Sequence, residues 1–460
     1  MTRTVELPLW LFVLILVFAA ITFASHFLFP SVRWFFRRRL ERAVARLNER
    51  LQRPIQPFKL AGRHDMIQRL IYDPRVSKAV QKHAIDTGVP EAVASEQAQR
   101  YAREIVPSFS AFAYFSFAIR LARLLSNAFY NVRLTYQDEA AINSIDPDAT
   151  VVFVMNHRSN MDYVLVTYLA ASRSALSYAV GEWARVWPLS RLIRAMGAYF
   201  IRRKSGSDLY RQVLASYVSH ATQAGVTQAM FPEGGLSLTG KLGRPKLGLL
   251  KYIIDGTGPE GRDVVFVPVA LNYDRVLEDT ILTAAAKDSD RRFRARIGVV
   301  TRWSVKQLWR RLIGRYKRFG LASVRYGMPI SLNSFRKEHE RDLTTDLARE
   351  LMQRIASALP FVPLPAACRV LEQHGAISED DLKTQLLIMA GDELMEGAEV
   401  AVQDGIDQLV DRRLVVRERG MLRPSGQRSD LLAYYAASTS TLLQPIDAAD
   451  AKDNSAIAGS

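Results

Sequence analysis

Five short apolar runs between residues 150 and 330 limit what this chain can fold into. VVFVMN, GAYFIRR, VTQAMFPEG, DVVFVPVALNY and ASVRYGMPI are each of strand length, and each gives way to polar or turn-forming residues. Helix-like stretches such as 206–224 lie between them. Strand, polar loop and helix in repetition predict an α/β fold, a mostly parallel sheet flanked by helices. Ligands of such sheets gather beyond the carboxyl ends of the strands. The residues that follow each run are therefore the candidates for chemistry.

The N-terminus constrains where that fold works. No formally charged residue occurs over 7–32, and the apolar core 9–29 is long enough to span a bilayer, which takes about 20 helical residues. Its exit, Phe27, Leu28, Phe29 and Pro30, lacks the small residues of a cleaved signal peptide. Arg33, Arg37, Arg38, Arg39, Arg42 and Arg46 follow, while Trp10 and Trp34 bracket the span. The expectation is one N-terminal transmembrane helix in the inner (cytoplasmic) membrane, with the body facing the cytoplasm. A net charge of +16 favours an anionic partner. With an anchor present, that partner is anionic membrane lipid rather than nucleic acid. Cys368 is the single cysteine, which excludes an intrachain disulfide and fits a reducing compartment. One Cys and seven scattered His argue against a zinc site, and no metal or cofactor is expected.

The expected organisation is an anchor over 1–36, a helical membrane-associated region over 37–134, the α/β domain over 135–360, and a small module over 361–440. Residues 441–460 read as a disordered tail. The uncharged run 106–119 is too short to span; it reads as a core helix or as an in-plane membrane helix ahead of Arg120 and Arg123. Residues 291–318 carry eleven Lys or Arg and no acid, which suits anionic lipid or an acidic carrier. Helices followed by a hairpin around Gly420 give the last module a winged-helix-like outline. Its segment 366–411 is not basic, so nucleic acid is not its expected partner.

Three strand ends carry candidate chemistry. NHRSNMD (156–162) places His157 five residues before Asp162, the composition of a general base held by a carboxylate. Ser159 or Asn160 would cap the next helix and leave Asp162 in its first turn. FPEGGLSLTGK (231–241) offers Gly234 and Gly235 for close backbone approach, and Ser237, Thr239 and Lys241 as a phosphate cradle; a plain glycine turn is the other reading. Glu233 is placed to accept a hydrogen bond from a polyol hydroxyl. GAYFIRR (197–203) ends in Arg202 and Arg203, whose guanidinium groups suit phosphate. In VVFVPVALNYD (264–274), Pro268 interrupts a buried strand, so a bulge or kink is expected there. No G-x-S-x-G elbow is present. A base without a protein nucleophile implies that the substrate supplies the hydroxyl.

In this order, NHRSNMD, GAYFIRR, FPEGGLSLTGK and VVFVPV resemble the four motif blocks of the glycerolipid acyltransferases with an H-x4-D motif. The likeness is greatest to their glycerol-3-phosphate branch, whose bacterial members make lysophosphatidate from acyl-CoA or acyl-carrier protein. LIYDPRV (70–76) and DLLAYYAAS (430–438) are similar to segments of that branch. The resemblance implies His157 as base, Asp162 as its orienting acid and Arg202 as a phosphate ligand. It also implies Glu233 and Gly234 on the glycerol side and Pro268 on the acyl-donor side. Arg158, Ser159, Arg203, Gly235, Ser237, Thr239 and Lys241 complete the expected substrate-binding set. The departure is at Leu236 and Leu238, where the branch carries arginines. That substitution keeps lysophosphatidate, dihydroxyacetone phosphate or another lyso-lipid open as acceptors. A non-catalytic, membrane-tethered basic scaffold is the reading outside enzymology.

Overall fold

All five apolar runs form strands, and they do so because both faces of each are covered. The computed structural model describes residues 8–18, 38–39, 41–42, 44–169, 174–181, 189–202, 206–287, 318–339, 342–394 and 397–439. Residues 19–37, Arg203, the block 291–317 and the tail 441–460 lie outside the described residues, and with them most of the expected span. Two compact units divide the chain, 1–55 and 56–460. In the first, residues 9–18 are helical and almost all exposed. Among the described residues no helix is long and apolar enough to cross a membrane.

The second unit is built on an eight-stranded sheet. Its strands are β1 (Asn131–Tyr136), β2 (Thr150–Met155), β3 (Ser177–Gly181), β4 (Tyr199–Ile201), β5 (Gln228–Met230), β6 (Val264–Tyr273), β7 (Leu321–Tyr326) and β8 (Ile330–Ser331). The order is β1-β7-β6-β2-β5-β3-β4, with β8 on β6. Strands β2 to β6 run parallel, and β7 and β8 are antiparallel to β6. The sheet is thus mostly parallel, as the alternation of strand and helix requires.

Strand β2 shows why this sequence cannot be anything but central. Val151, Phe153 and Met155 join one core cluster and Val152 and Val154 the other, because successive side chains point to opposite faces. The helices Asp208–Gln223, Leu247–Asp255 and Leu343–Ser357 cover the second face. The N-terminal helices Arg63–Ile71, Pro74–Thr87 and Glu91–Ile105 add to that layer. In LIYDPRV, Asp73 caps the second of these helices, accepting from the Arg75 amide at 2.8 Å, with Pro74 at its first position.

Pro268 does not kink β6, contrary to the sequence expectation. The strand runs unbroken for ten residues, all buried. On one side Pro268 faces Val154 of β2. On the other, β6 passes from β8 at Val265 and Phe266 to β7 at Val269. The missing N–H falls at that change of partner, where the Pro268 carbonyl still accepts from Gly327 N at 2.8 Å.

Residues beyond 360 form the helices Pro363–His374, Glu379–Ala390, Ala398–Asp411 and Ser429–Ala437. A small antiparallel sheet accompanies them, β9 (Ile377–Ser378), β10 (Val415–Glu418) and β11 (Met421–Pro424), in the order β10-β11-β9. Arg419 and Gly420, at φ of 51° and 76°, make the hairpin turn. The apolar side chains of this segment are continuous with the first cluster of the large sheet.

Candidate active site

The candidate constellation is made where β2 runs out. After Met155 the chain leaves the sheet, turns through 156–160 and enters the helix Met161–Leu169. Asp162 lies in the first turn of that helix, and its carboxylate folds back over the loop. The Oδ2 atom accepts from the Arg158 amide (2.7 Å) and the Ser159 amide (3.0 Å) and meets His157 Nδ1 at 2.9 Å. The Oδ1 atom accepts from the Tyr273 hydroxyl at 2.5 Å. One carboxylate therefore shapes the loop and holds the ring in a single act. With Nδ1 engaged, Nε2 is the nitrogen left for proton transfer.

The imidazole is 3% exposed. It stacks on Phe231 with centroids 4.1 Å apart and meets Tyr163 edge-on at 5.4 Å. These aromatic walls bury the imidazole.

The block that follows β5 braces the same loop. Glu233 accepts from the His157 amide at 2.8 Å through Oε1 and from the Gly243 amide at 2.7 Å through Oε2. The Ser237 amide donates to the His157 carbonyl at 3.0 Å, and the Ser237 hydroxyl donates to the Lys241 carbonyl at 2.6 Å. Burial raises the Glu233 carboxyl above its ordinary range, against the pull of the two amides and of Arg158. Gly234 takes φ of +68°, which its lack of a Cβ permits, while Gly235 is half-buried. Thr239 and Lys241 are exposed. Glu233 thus joins two loops, and both its oxygens are engaged without substrate.

The Arg158 side chain is committed to backbone carbonyls. It is 2% exposed, and its guanidinium donates to the Gly240 carbonyl and, at 2.9 Å, to the Ser438 carbonyl. The backbone of DLLAYYAAS is thereby tied to the catalytic loop. A Cβ on Gly240, at φ of +82°, would collide with the Tyr434 carbonyl. Ser159 donates to Glu278 Oε2 at 2.8 Å, and Asn160 reaches Glu278 Oε1 at 3.0 Å.

Arg202 sits at the end of β4, three strands from β2 in the sheet order, about 14 Å across at ordinary strand spacing. Glu104 takes its guanidinium through two bonds, at 2.8 and 2.7 Å. Tyr101 and Tyr210 flank it at 5.1 and 5.3 Å. The structure brings His157, Asp162, Glu233 and Ser237 together, and it commits Arg202 to an ion pair. Pro268 lies inside the sheet, within the strand that ends at Tyr273.

Two members of the site have no signature in the sequence, Tyr273 and Glu278. Both follow from the fold, which sets the end of β6 beside the end of β2.

Comparison with known proteins matches residues 133–272 to a family model described as Acyltransferase, a range holding the dyad, Glu233 and all but the last residue of β6. A glycerol-3-phosphate acyltransferase of Shewanella sp. (strain ANA-3) is 30% identical over 359 residues, 76% of this chain and 43% of that protein. Over the aligned residues the chain is similar to the glycerol-3-phosphate acyltransferases. A second such relative, from Shewanella pealeana, is 28% identical over 370 residues, 78% of this chain and 44% of its own. The chain spans less than half the length of these curated relatives. Among solved structures, the 1-acyl-sn-glycerophosphate (LPA) acyltransferase of Thermotoga maritima aligns at 17% identity and a TM-score of 0.29, covering 52% of this chain and 78% of that one. Within the matched range, Leu236 packs against the core and Leu238 is 36% exposed.

Proposed function

We propose that this chain is a membrane-associated O-acyltransferase that moves a fatty acyl group from acyl-CoA or acyl-carrier protein to the sn-1 hydroxyl of glycerol 3-phosphate. The product is lysophosphatidate. The observation that carries the reading is His157 held by Asp162 at a strand end, with Nδ1 engaged and Nε2 left for an acceptor hydroxyl. In this mechanism Nε2 takes the proton of the hydroxyl, and its oxygen attacks the thioester carbonyl. The C–S bond of the tetrahedral intermediate then breaks, and the thiolate leaves with the proton returned by the imidazolium. Asp162 stabilises the imidazolium meanwhile.

The amides of His157, Arg158 and Ser159 are occupied by Glu233 and Asp162. We therefore assign the oxyanion to the amides of Gly235 and Leu236, which have no hydrogen-bond partner among the described residues.

A membrane location is part of the proposal. Phe112, Phe117 and Leu124 are 73%, 52% and 55% exposed, beside exposed Arg120 and Arg123. Apolar and cationic groups so mixed suit an anionic lipid surface. The helix Ile119–Phe129, which bears Leu124, Arg120 and Arg123, packs against Met161–Leu169, which carries Asp162. Cofractionation with inner membranes that survives high salt is the expected result.

Leu236 and Leu238 favour a second acceptor within the same chemistry, because they remove two cations from the glycerol-side loop. Lysophosphatidate or another lyso-lipid is that alternative. The deciding measurement is thiol release from acyl-CoA with and without glycerol 3-phosphate, followed by a panel of acceptors. No acceptor-dependent release would end the enzymatic reading.

A further inference from the structure

A second concave site lies at the same edge of the sheet, in the loop after β6. A cavity of about 590 Å³ opens there between residues 275–281 and the C-terminal segment, and Arg275, Arg412, Arg413 and Arg428 line it. Three acids share the wall, Glu278, Asp279 and Asp411. None of them is free. Asp279 pairs with Arg412 and accepts from the Tyr435 hydroxyl at 2.6 Å, and Glu278 holds Ser159 and Asn160. Arg275, Arg413 and Arg428 have no ion-pair partner among the described residues.

Arg413 and Arg428 are exposed, whereas Arg275 is held against an aromatic ring. Arg275 is half-buried, with its guanidinium carbon 4.5 Å from the centroid of the Phe319 ring. The positive φ of Arg413, +55°, belongs to the end of the helix Ala398–Asp411, where the Arg413 amide donates to the Val410 carbonyl and the Leu414 amide to the Leu409 carbonyl, each at 2.9 Å. Unpaired guanidinium groups converging on a cavity fit the oxygens of a phosphate.

We propose that this cavity is a second anion site, which takes the phosphate of a phosphomonoester and signals its occupancy to the catalytic loop through Glu278. The path is one side chain long. Glu278 lines the cavity and accepts from Ser159 Oγ at 2.8 Å, two residues from His157. A phosphate drawn to Arg275 and Arg413 approaches the Glu278 carboxylate, and repulsion shifts the brace on the loop. The ligand is either a soluble phosphomonoester or the headgroup of phosphatidic acid.

The test uses the full chain in detergent, titrated with inorganic phosphate by calorimetry. The double variant Arg413→Gln/Arg428→Gln should bind at least about tenfold more weakly, since each lost guanidinium removes a charge-assisted contact. Vesicles with and without phosphatidic acid form the second arm. Arginine-dependent retention there assigns the lipid headgroup, and arginine-dependent binding of free phosphate assigns a soluble ligand. In the kinetic arm, phosphate should slow thiol release non-competitively with glycerol 3-phosphate in the wild type and have no such effect on the double variant. Phosphate affinity unchanged in the double variant overturns the proposal, as does purely competitive inhibition that both proteins share. The kinetic arm rests on the acyl-transfer reading. If no transfer is found, calorimetry still decides the cavity.

Discussion

Two histidine–aspartate pairs stand almost equally close in this molecule, 2.9 Å between His157 and Asp162 and 3.0 Å between His220 and Asp73. Distance does not separate them. The first pair is 3% and 0% exposed; in the second the histidine is 27% exposed. Asp162 binds Nδ1 and leaves Nε2 for chemistry, whereas Asp73 takes Nε2 itself. Asp162 has four donors drawn from a loop, a ring and a neighbouring strand. Asp73 caps a helix and pairs with Arg75 on its own first turn. One carboxylate orients an imidazole at a strand end, and the other closes a helix end. What sets the proposed base apart is what surrounds the His–Asp contact.

The sharpest way to break the contrast is to remove each histidine. His157→Ala should lower acceptor-dependent thiol release by about 10²–10⁴, the ordinary worth of a positioned base. His220→Ala should leave it within about twofold, as a partly exposed site away from the chemistry would. Equal losses in both would remove the distinction. Circular dichroism on both variants separates misfolding from chemistry.

Next in size is Tyr273→Phe. A hydrogen bond to a charged group contributes about 1.5–3 kcal/mol, so turnover should fall about ten- to a hundredfold. The loss should fall on kcat rather than on KM for the acceptor. A fall in melting temperature with kcat unmoved would reduce Tyr273 to a packing residue.

The two glutamates that brace the loop give a finer contrast. Glu233→Gln must set a side-chain NH2 against the amide of His157 or Gly243, which leaves a donor unpaired at about 1–3 kcal/mol. Glu278→Gln meets the Ser159 hydroxyl, which can turn from donor to acceptor, so the loss there should stay below about 1 kcal/mol. Denaturant midpoints measure both. A larger loss at Glu278 would reverse the assignment of which brace is rigid.

How much of this could be read before the fold was seen follows from range in sequence. Strands β2, β5 and β6 were visible as apolar runs because they are covered on both faces. The two-residue β8 and the short β3, with its Ser177 and Gly181, carry too little pattern. His157 and Asp162 were visible because one loop holds both. Tyr273 reaches Asp162 across 111 residues, through a register that sets Val269 opposite Met155 and Tyr273 one β-repeat pair further along the same face. The tie from Arg158 to Ser438 spans 280 residues. Arg202 misleads for the same reason. Its ion-pair partner, Glu104, comes from a helix 98 residues earlier, so the free phosphate-binding cation expected at this strand end is a paired one.

The smallest predicted effect comes from the structural pair. Burial lowers His220, with Arg75 adding to the effect and Asp73 opposing it. A ring that resists protonation when folded contributes fully above its unfolded value near 6.5. As pH falls below that value, the unfolded chain takes up a proton that the folded one refuses, and stability drops. For Asp73, burial raises the carboxyl, but the hydrogen bonds from Arg75 outweigh it and the net shift is downward. Its contribution is therefore present above the unfolded value of 3.8 and lost only as pH falls through the lower folded value. The two windows do not coincide. Between pH 7.5 and 5.5 only the histidine acts, and solvent screening at a partly exposed ring keeps the loss below about 1 kcal/mol. His220→Gln should flatten the stability profile over that interval while leaving the acid fall below pH 3.8 in place. Urea midpoints at the two pH values measure it. An unchanged slope in the variant would show that another group titrates there, and the second pair would lose even its modest role.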